Sequence, residues 1–119
     1  MTYTMTEHLY AVLCADSEII TQTQLEQADD EQLTRCFVKT KAKSFVVRFG
    51  TYSDQVFELP LYPTSFKTGR TGYAGRARAV ISKRVWHFRA NLVRQDEQDS
   101  YGVTIAVKPP QQVSLAWAD

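Results

Sequence analysis

The feature that most constrains the fold is an alternation of apolar and polar residues with a period of two. Apolar side chains at every second position give an extended strand one hydrophobic face, which must be buried against other strands. A turn at residues 50–54 and the pair Pro109-Pro110 separate alternating segments. The chain is therefore predicted to be mainly β. The segments span residues 45–49, 57–61, 101–107 and 113–117.

Two further segments, residues 73–82 and 85–94, fit together as one antiparallel hairpin closed at Lys83-Arg84. In this register Ala79 faces Phe88 on an apolar face, and every other residue of that face is apolar as well. The opposite face places Arg78 directly across from Arg89. Lys-Arg is an unusual two-residue connection, so a longer loop with a shifted register is the alternative. The polar face carries Arg76, Arg78, Val80, His87, Arg89 and Asn91.

One short helix is predicted at about residues 24–34. Thr23 and Glu26 have the spacing of a capping box, and Leu25, Ala28 and Leu33 would share one helical face. Residues 8–14 and 18–21 before it are a candidate hairpin. The expected fold is α+β and mainly β: a curved antiparallel sheet or small barrel, OB-like in one specific form, with one short acidic helix. A single domain of residues 1–119 is expected.

The net charge of +1 conceals a segregated distribution. Residues 1–34 contain seven acids and no base, whereas residues 66–94 contain eight bases and no acid. Clustered cations attract polyanions whatever the total charge is. The first functional hypothesis is an anion-binding surface for nucleic acid. The alternative is a solvated basic face, neutralised by the acidic ends of the chain or by a subunit of a homodimer.

The segment before the hairpin, residues 65–75, has glycines at every third position from Gly69 to Gly75. Lys67, Arg70 and Tyr73 lie among them. Glycines let a backbone approach a ligand closely, which predicts a loop that cradles phosphates or stacks a base. The alternative is a turn followed by a glycine-bulged entrance to the strand. The spacing matches neither a Walker loop nor a Rossmann fingerprint.

The sequence FKTGRTGYAGRARAVI, residues 66–81, followed by VWHFRANLV, residues 85–93, resembles the core of small phage- or plasmid-type single-stranded-DNA-binding proteins. In those a Gly-Tyr entrance leads into a basic strand and a second, aromatic strand. The resemblance covers about a quarter of the chain. It implies binding residues at Lys67, Arg70, Tyr73, Arg76 and Arg78. With the hairpin face and turn added, the candidate nucleic-acid-binding residues are Lys67, Arg70, Tyr73, Arg76, Arg78, Lys83, Arg84, His87, Arg89 and Asn91.

Catalysis, cofactors and metals are not indicated. His8, His87, Cys14 and Cys36 form no catalytic signature and no standard metal-ligand spacing, and the cysteines are expected to be small buried hydrophobes. No segment has the length and apolarity of a membrane helix or a signal peptide, so a cytoplasmic, non-membrane protein is the default expectation.

Two competing hypotheses concern what the charged surfaces bind: another protein, or another part of the same chain. The first is a small inhibitor or immunity-type module, of phage or mobile-element origin, that docks a charged face on a protein partner. In the second, the acidic residues 29–31 bind a basic partner or cover the protein's own basic groove until DNA displaces them.

Overall fold

The computed structural model describes residues 9–52 and 54–110, and these form one antiparallel sheet of nine strands. In sheet order the strands run β2-β1-β5-β6-β7-β8-β9-β4-β3. The predicted strand at residues 113–117 lies outside the described residues. Residues 9–52 and 54–110 contain no helix, and so no helix that could cross a membrane. The strands are β1 (Tyr10–Ala15), β2 (Glu18–Gln24), β3 (Glu26–Ala28), β4 (Glu31–Lys39), β5 (Phe45–Gly50), β6 (Gln55–Ser65), β7 (Thr71–Ile81), β8 (Arg84–Arg94) and β9 (Ser100–Lys108).

The sheet curls into a nearly closed barrel because β2 and β3 follow each other along the chain, separated only by Leu25. β2 pairs with β1 at one end of the sheet order, and β3 pairs with β4 at the other end. Leu25 is buried at the join, where its amide donates to the carbonyl of Leu9 at 2.8 Å. Beside it, the hydroxyls of Thr23 and Thr34 form a hydrogen bond with 3.0 Å between the two oxygens. The prediction of a mainly β, curved antiparallel sheet is confirmed.

The predicted helix at residues 24–34 is wrong. Residues 26–28 pair with residues 31–33 as neighbouring strands, connected by a turn in which Asp29 has a φ of 54°. β4 then pairs with β9 along its length, from Gln32 opposite Val107 to Lys39 opposite Ser100. These pairings extend the sheet from β9 to β3, the strand that Leu25 joins to β2, which an isolated acidic helix packed by one narrow stripe could not do. Tertiary pairing therefore overrides the local capping signal. The predicted hairpin preceding this segment is confirmed as β1 and β2.

The core is formed by the inward face of each strand. Phe45, Val47 and Phe49 of β5 are buried together, as the period of two predicts. From β8, Phe88 inserts between two aromatic rings: its ring is stacked on Phe57 at a centroid distance of 4.5 Å and tilted against Phe49 at 4.9 Å. The alternation in the sequence thus sorts these strands correctly into an inner and an outer face.

β7 and β8 form the predicted hairpin, with a register shifted by two residues. The turn is Ser82-Lys83, and both residues have positive φ, 54° and 66°, as a two-residue hairpin turn of type I′ requires. Arg76 rather than Arg78 faces Arg89, and Arg78 faces His87. An even shift moves no side chain to the other side of the sheet, so the two faces are as predicted although the pairs are not.

Candidate functional site

The candidate site lies on the outside of the barrel, across the adjacent strands β6, β7, β8, β9 and β4. Since inward and outward positions alternate, the register places outward side chains of neighbouring strands side by side. One row runs through Arg78, His87 and Lys108, and the next runs through Arg76, Arg89 and Ala106. We call this surface the outer face; its residues include Tyr62, Ala74, Arg76, Arg78, His87, Arg89, Asn91, Gly102, Thr104, Ala106, Lys108, Leu33, Arg35 and Phe37.

A cleft of about 1070 Å³ opens at the end of the outer face that leads to the β7–β8 turn. Of the described residues that line it, five are cationic and one is a carboxylate, Glu31. Such an imbalance within one concave surface creates a positive local potential. We call it the basic cleft, and its charged or titratable lining residues are Arg76, Arg78, Arg84, His87, Arg89, Lys108 and Glu31.

The single carboxylate of the basic cleft neutralises part of its charge. Arg89 donates from Nη2 to Glu31 Oε1 at 3.1 Å, and both side chains are partly buried. Beside this pair, Lys108 Nζ lies 3.1 Å from the carboxylate of Asp30, and that hydrogen bond lowers the pKa of Asp30. The acidic β3–β4 turn thus borders the cleft, and Glu31 offsets the repulsion between Arg76 and Arg89 on paired strands.

The structure brings only some of the predicted site residues together. Lys67 and Arg70 lie before β7, and a strand of that length spans about 33 Å, so they are far from the hairpin turn. There Arg70 forms an ion pair with Asp96, with 3.0 Å between Nη2 and Oδ1, and donates from Nη1 to the carbonyl oxygen of Arg94 at 3.0 Å. Lys83 lies in the hairpin turn itself. Asn91 lies on the outer face one row beyond Arg89. The predicted residues that line the basic cleft together are Arg76, Arg78, Arg84, His87 and Arg89.

Tyr73 is placed in the core rather than at a binding surface. Its side chain is 6% exposed, and its ring lies 4.6 Å from Phe45 and 6.1 Å from Tyr101 between centroids. No ring face is left for a base. Nearby, a Cβ at Gly75 would lie 2.5 Å from the carbonyl oxygen of Pro60, so this glycine serves close strand packing. Both residues are thus structural, as the alternative interpretation of this segment expected, although β7 pairs here without a bulge.

Two exposed aromatic residues of the outer face were not singled out from the sequence. Phe37 in β4 is 79% exposed and Tyr62 in β6 is 64% exposed. Phe37 lies beyond the predicted helix, and the sequence alone does not fix which side of the sheet it faces: buried Gln32 sets the inward positions of β4 and turns Phe37 outward. For Tyr62 the signal was present, since it alternates with the buried Leu59 and Leu61.

Comparison of the chain with protein-family models, with curated proteins and with solved structures finds no match. Among residues 9–52 and 54–110, no group of three or more His, Cys, Asp or Glu side chains is arranged to hold a metal ion. Cys14 and Cys36 are free thiols, and burial raises the pKa of Cys36. The functional argument therefore depends on the charge and geometry of the outer face.

Proposed function

We propose that this protein binds single-stranded nucleic acid without chemistry, with phosphates held in the basic cleft. The observation that carries the proposal is that the lining of that cleft contains five cationic residues and one carboxylate. Four of the five are arginines, whose guanidinium groups can hold phosphate oxygens with two parallel hydrogen bonds. We propose in addition that the barrel is OB-like. The resemblance to small phage- or plasmid-type single-stranded-DNA-binding proteins supports the proposed function.

The preference for a single strand follows from what surrounds the cleft. The outer face also presents exposed aromatic rings and the amide of Asn91, beside the hydroxyl of Thr104. Aromatic rings stack on unpaired bases, and amides and hydroxyls can bond their edges, whereas the base faces of a duplex are inaccessible. A duplex would therefore interact with this surface only through its phosphates and the cationic side chains.

The test is a titration of a fluorescent oligonucleotide, followed by anisotropy at several salt concentrations. Each single-strand phosphate neutralised contributes a slope of about 0.7 log unit of affinity per log unit of salt, so contact with four phosphates predicts a slope near 3. A duplex of the same sequence is the control and should bind more weakly. If single strands do not bind at low salt, the proposal fails.

A protein-binding inhibitor or immunity-type module is the second candidate. It is favoured by the apolar tip of the β7–β8 hairpin, where Val80 and Val85 pair on the outer face and are both exposed. Apolar side chains beside a charged surface are typical of protein interfaces. This candidate predicts that single strands bind no better than a duplex of equal charge, so the same titration separates the two.

Glu31→Gln should strengthen binding of single strands. The substitution keeps the shape of the side chain but removes the charge that holds Arg89, leaving that guanidinium available to a phosphate. We expect affinity to rise about three- to tenfold and the salt slope to steepen by about 0.7, one additional phosphate contact. The anisotropy titration measures both quantities.

The control for this substitution is Glu58→Gln. Glu58 pairs with Arg48 at the same distance, 3.1 Å, and neither residue lines the basic cleft. It should leave affinity and slope unchanged. Weaker binding by the Glu31→Gln variant, or an unchanged slope, would show that Glu31 does not compete with phosphate.

A further inference from the structure

We infer that Phe37 and Tyr62 are base-stacking residues, and that the outer face between them holds the bases while the basic cleft holds the phosphates. The inference rests on the proposed function and assigns the non-ionic part of the binding to residues outside the cleft. Both rings are among the most exposed apolar side chains of the described chain, at 79% and 64%. Aromatic rings beside a cationic groove are the groups on which single-strand-binding proteins stack unpaired bases.

The two rings lie on opposite sides of one continuous surface. Tyr62 of β6 faces Ala74 of β7, which faces Asn91 of β8. Asn91 in turn faces Thr104 of β9, which faces Arg35 of β4, completing a row across five strands. Phe37 follows Arg35 by two positions and therefore projects from the same face.

The floor between the rings is low and polar. Ala74 and Thr104 are small, and Asn91 between them offers an amide that can both donate to and accept from a base edge. At the Phe37 end, a Cβ on Gly102 would lie 3.6 Å from the edge of the phenyl ring. The side chain of Gln95 also lies against this glycine, with Nε2 2.9 Å from the same Cβ position, so the glycine makes room for Gln95 beside the ring.

The dimensions suit a short stretch of bases. Four strand spacings of about 4.8 Å separate β6 from β4, or about 19 Å across the sheet. Four-stranded sheets in RNA-recognition domains stack two or three bases on surfaces of this kind. Asn91 is two residues from Arg89, about 7 Å along β8, so the row borders the basic cleft. Bases lying on the row would leave their phosphates within reach of the arginines.

The experiment compares Phe37→Ala and Tyr62→Ala with the wild-type protein, using oligothymidine, oligouridine and an abasic oligonucleotide of equal length. Loss of a stacked base should weaken binding of the first two probes by at least about fivefold. The salt slope should stay unchanged because no phosphate contact is lost. Affinity for the abasic strand should be the same in all three proteins. The ratio of the DNA and RNA affinities identifies the preferred strand.

Tyr52→Ala is the matched control, because Tyr52 is as exposed as Phe37 but lies beside Tyr10, in a pocket with β2 residues. Phe37→Tyr and Tyr62→Phe, which keep the rings, should bind as the wild type does. If the wild type binds single strands and both alanine variants bind them equally tightly, the stacking inference is overturned and the proposed function stands. If the wild type binds no single strand, the proposed function fails and this inference fails with it.

Discussion

Replacing Arg76 and Arg78 by glutamate should reduce affinity for single strands by about a hundredfold or more, equivalent to about 2.7 kcal/mol. Both side chains are exposed and line the basic cleft, so the variant loses two cationic contacts and places two anions against the phosphates. Within the described part of the chain neither residue makes a side-chain hydrogen bond or ion pair. The free energy of unfolding should therefore change by no more than about 0.5 kcal/mol.

The matched control for this variant is Lys41→Glu with Lys43→Glu, which changes the net charge equally. These lysines lie in the loop between β4 and β5. They are at the far end of β4 from Glu31, about 27 Å along the strand. Anisotropy titrations at one salt concentration should show a large loss for the arginine variant and a small one for the lysine variant. Equal losses would mean that total charge, not the cleft, determines binding.

Phe88→Ala should destabilise the fold by about 3–5 kcal/mol, since it leaves a cavity between two aromatic rings. Phe88 is 1% exposed and contacts both Phe57 and Phe49. Domains of this size have a total stability of about 5–15 kcal/mol, so the loss is a large fraction of it. Thermal unfolding followed by circular dichroism should show a midpoint roughly 10–20 °C lower.

The same substitution at Phe37 tests whether that residue lies on the surface rather than in the core. Phe37→Ala removes an equal side chain from the outer face and should change the free energy of unfolding by no more than about 0.5 kcal/mol. Together the two variants test the assignment of the faces. If Phe88→Ala left the fold intact and weakened binding, while Phe37→Ala unfolded the protein, the inner and outer faces would be reversed.

The β7–β8 hairpin shows which features of this fold can be predicted from sequence. Its two faces follow from the period of two, and they survive an error of two residues in the register. The register itself depends on the turn, where Ser82 and Lys83 both adopt positive φ. Such turns usually contain Asn or Gly, so no residue in this sequence marks the turn position.

The helix prediction failed because the decisive contacts are distant in sequence. Thr23, Glu26 and Leu33 match a helical pattern within a dozen residues, and nothing local contradicts it. The strand conformation is selected by pairing with β9, some seventy residues away in the chain, and by Gln32, whose side-chain oxygen accepts from the amide of Leu9. A single sequence contains no direct record of such pairings.

The candidate site was predictable in its charge but not in its details. Arginines at alternate positions of β7 and β8 place several cations on one face, and this required only the strand period. The sequence already suggested residues 29–31 as an acidic cover of the basic groove, but the pairing of Glu31 with Arg89 depends on strand pairing that the helix prediction lacked. Tyr73 was assigned to the site because it lies among glycines and cations, yet it occupies an inward position of β7.

The closure of the barrel through β3 makes its resistance to local opening uneven. Only three residue pairs join β3 to β4, whereas ten join β7 to β8. Fluctuations that separate neighbouring strands therefore need the least free energy at the β3–β4 junction and the most within the hairpin. The acids that border the basic cleft, Asp30 and Glu31, sit on the turn and first residue of this junction. Opening at the junction frees the turn that holds Asp30 against Lys108 and adjoins Glu31, so thermal motion of the barrel is coupled to the charge of the cleft.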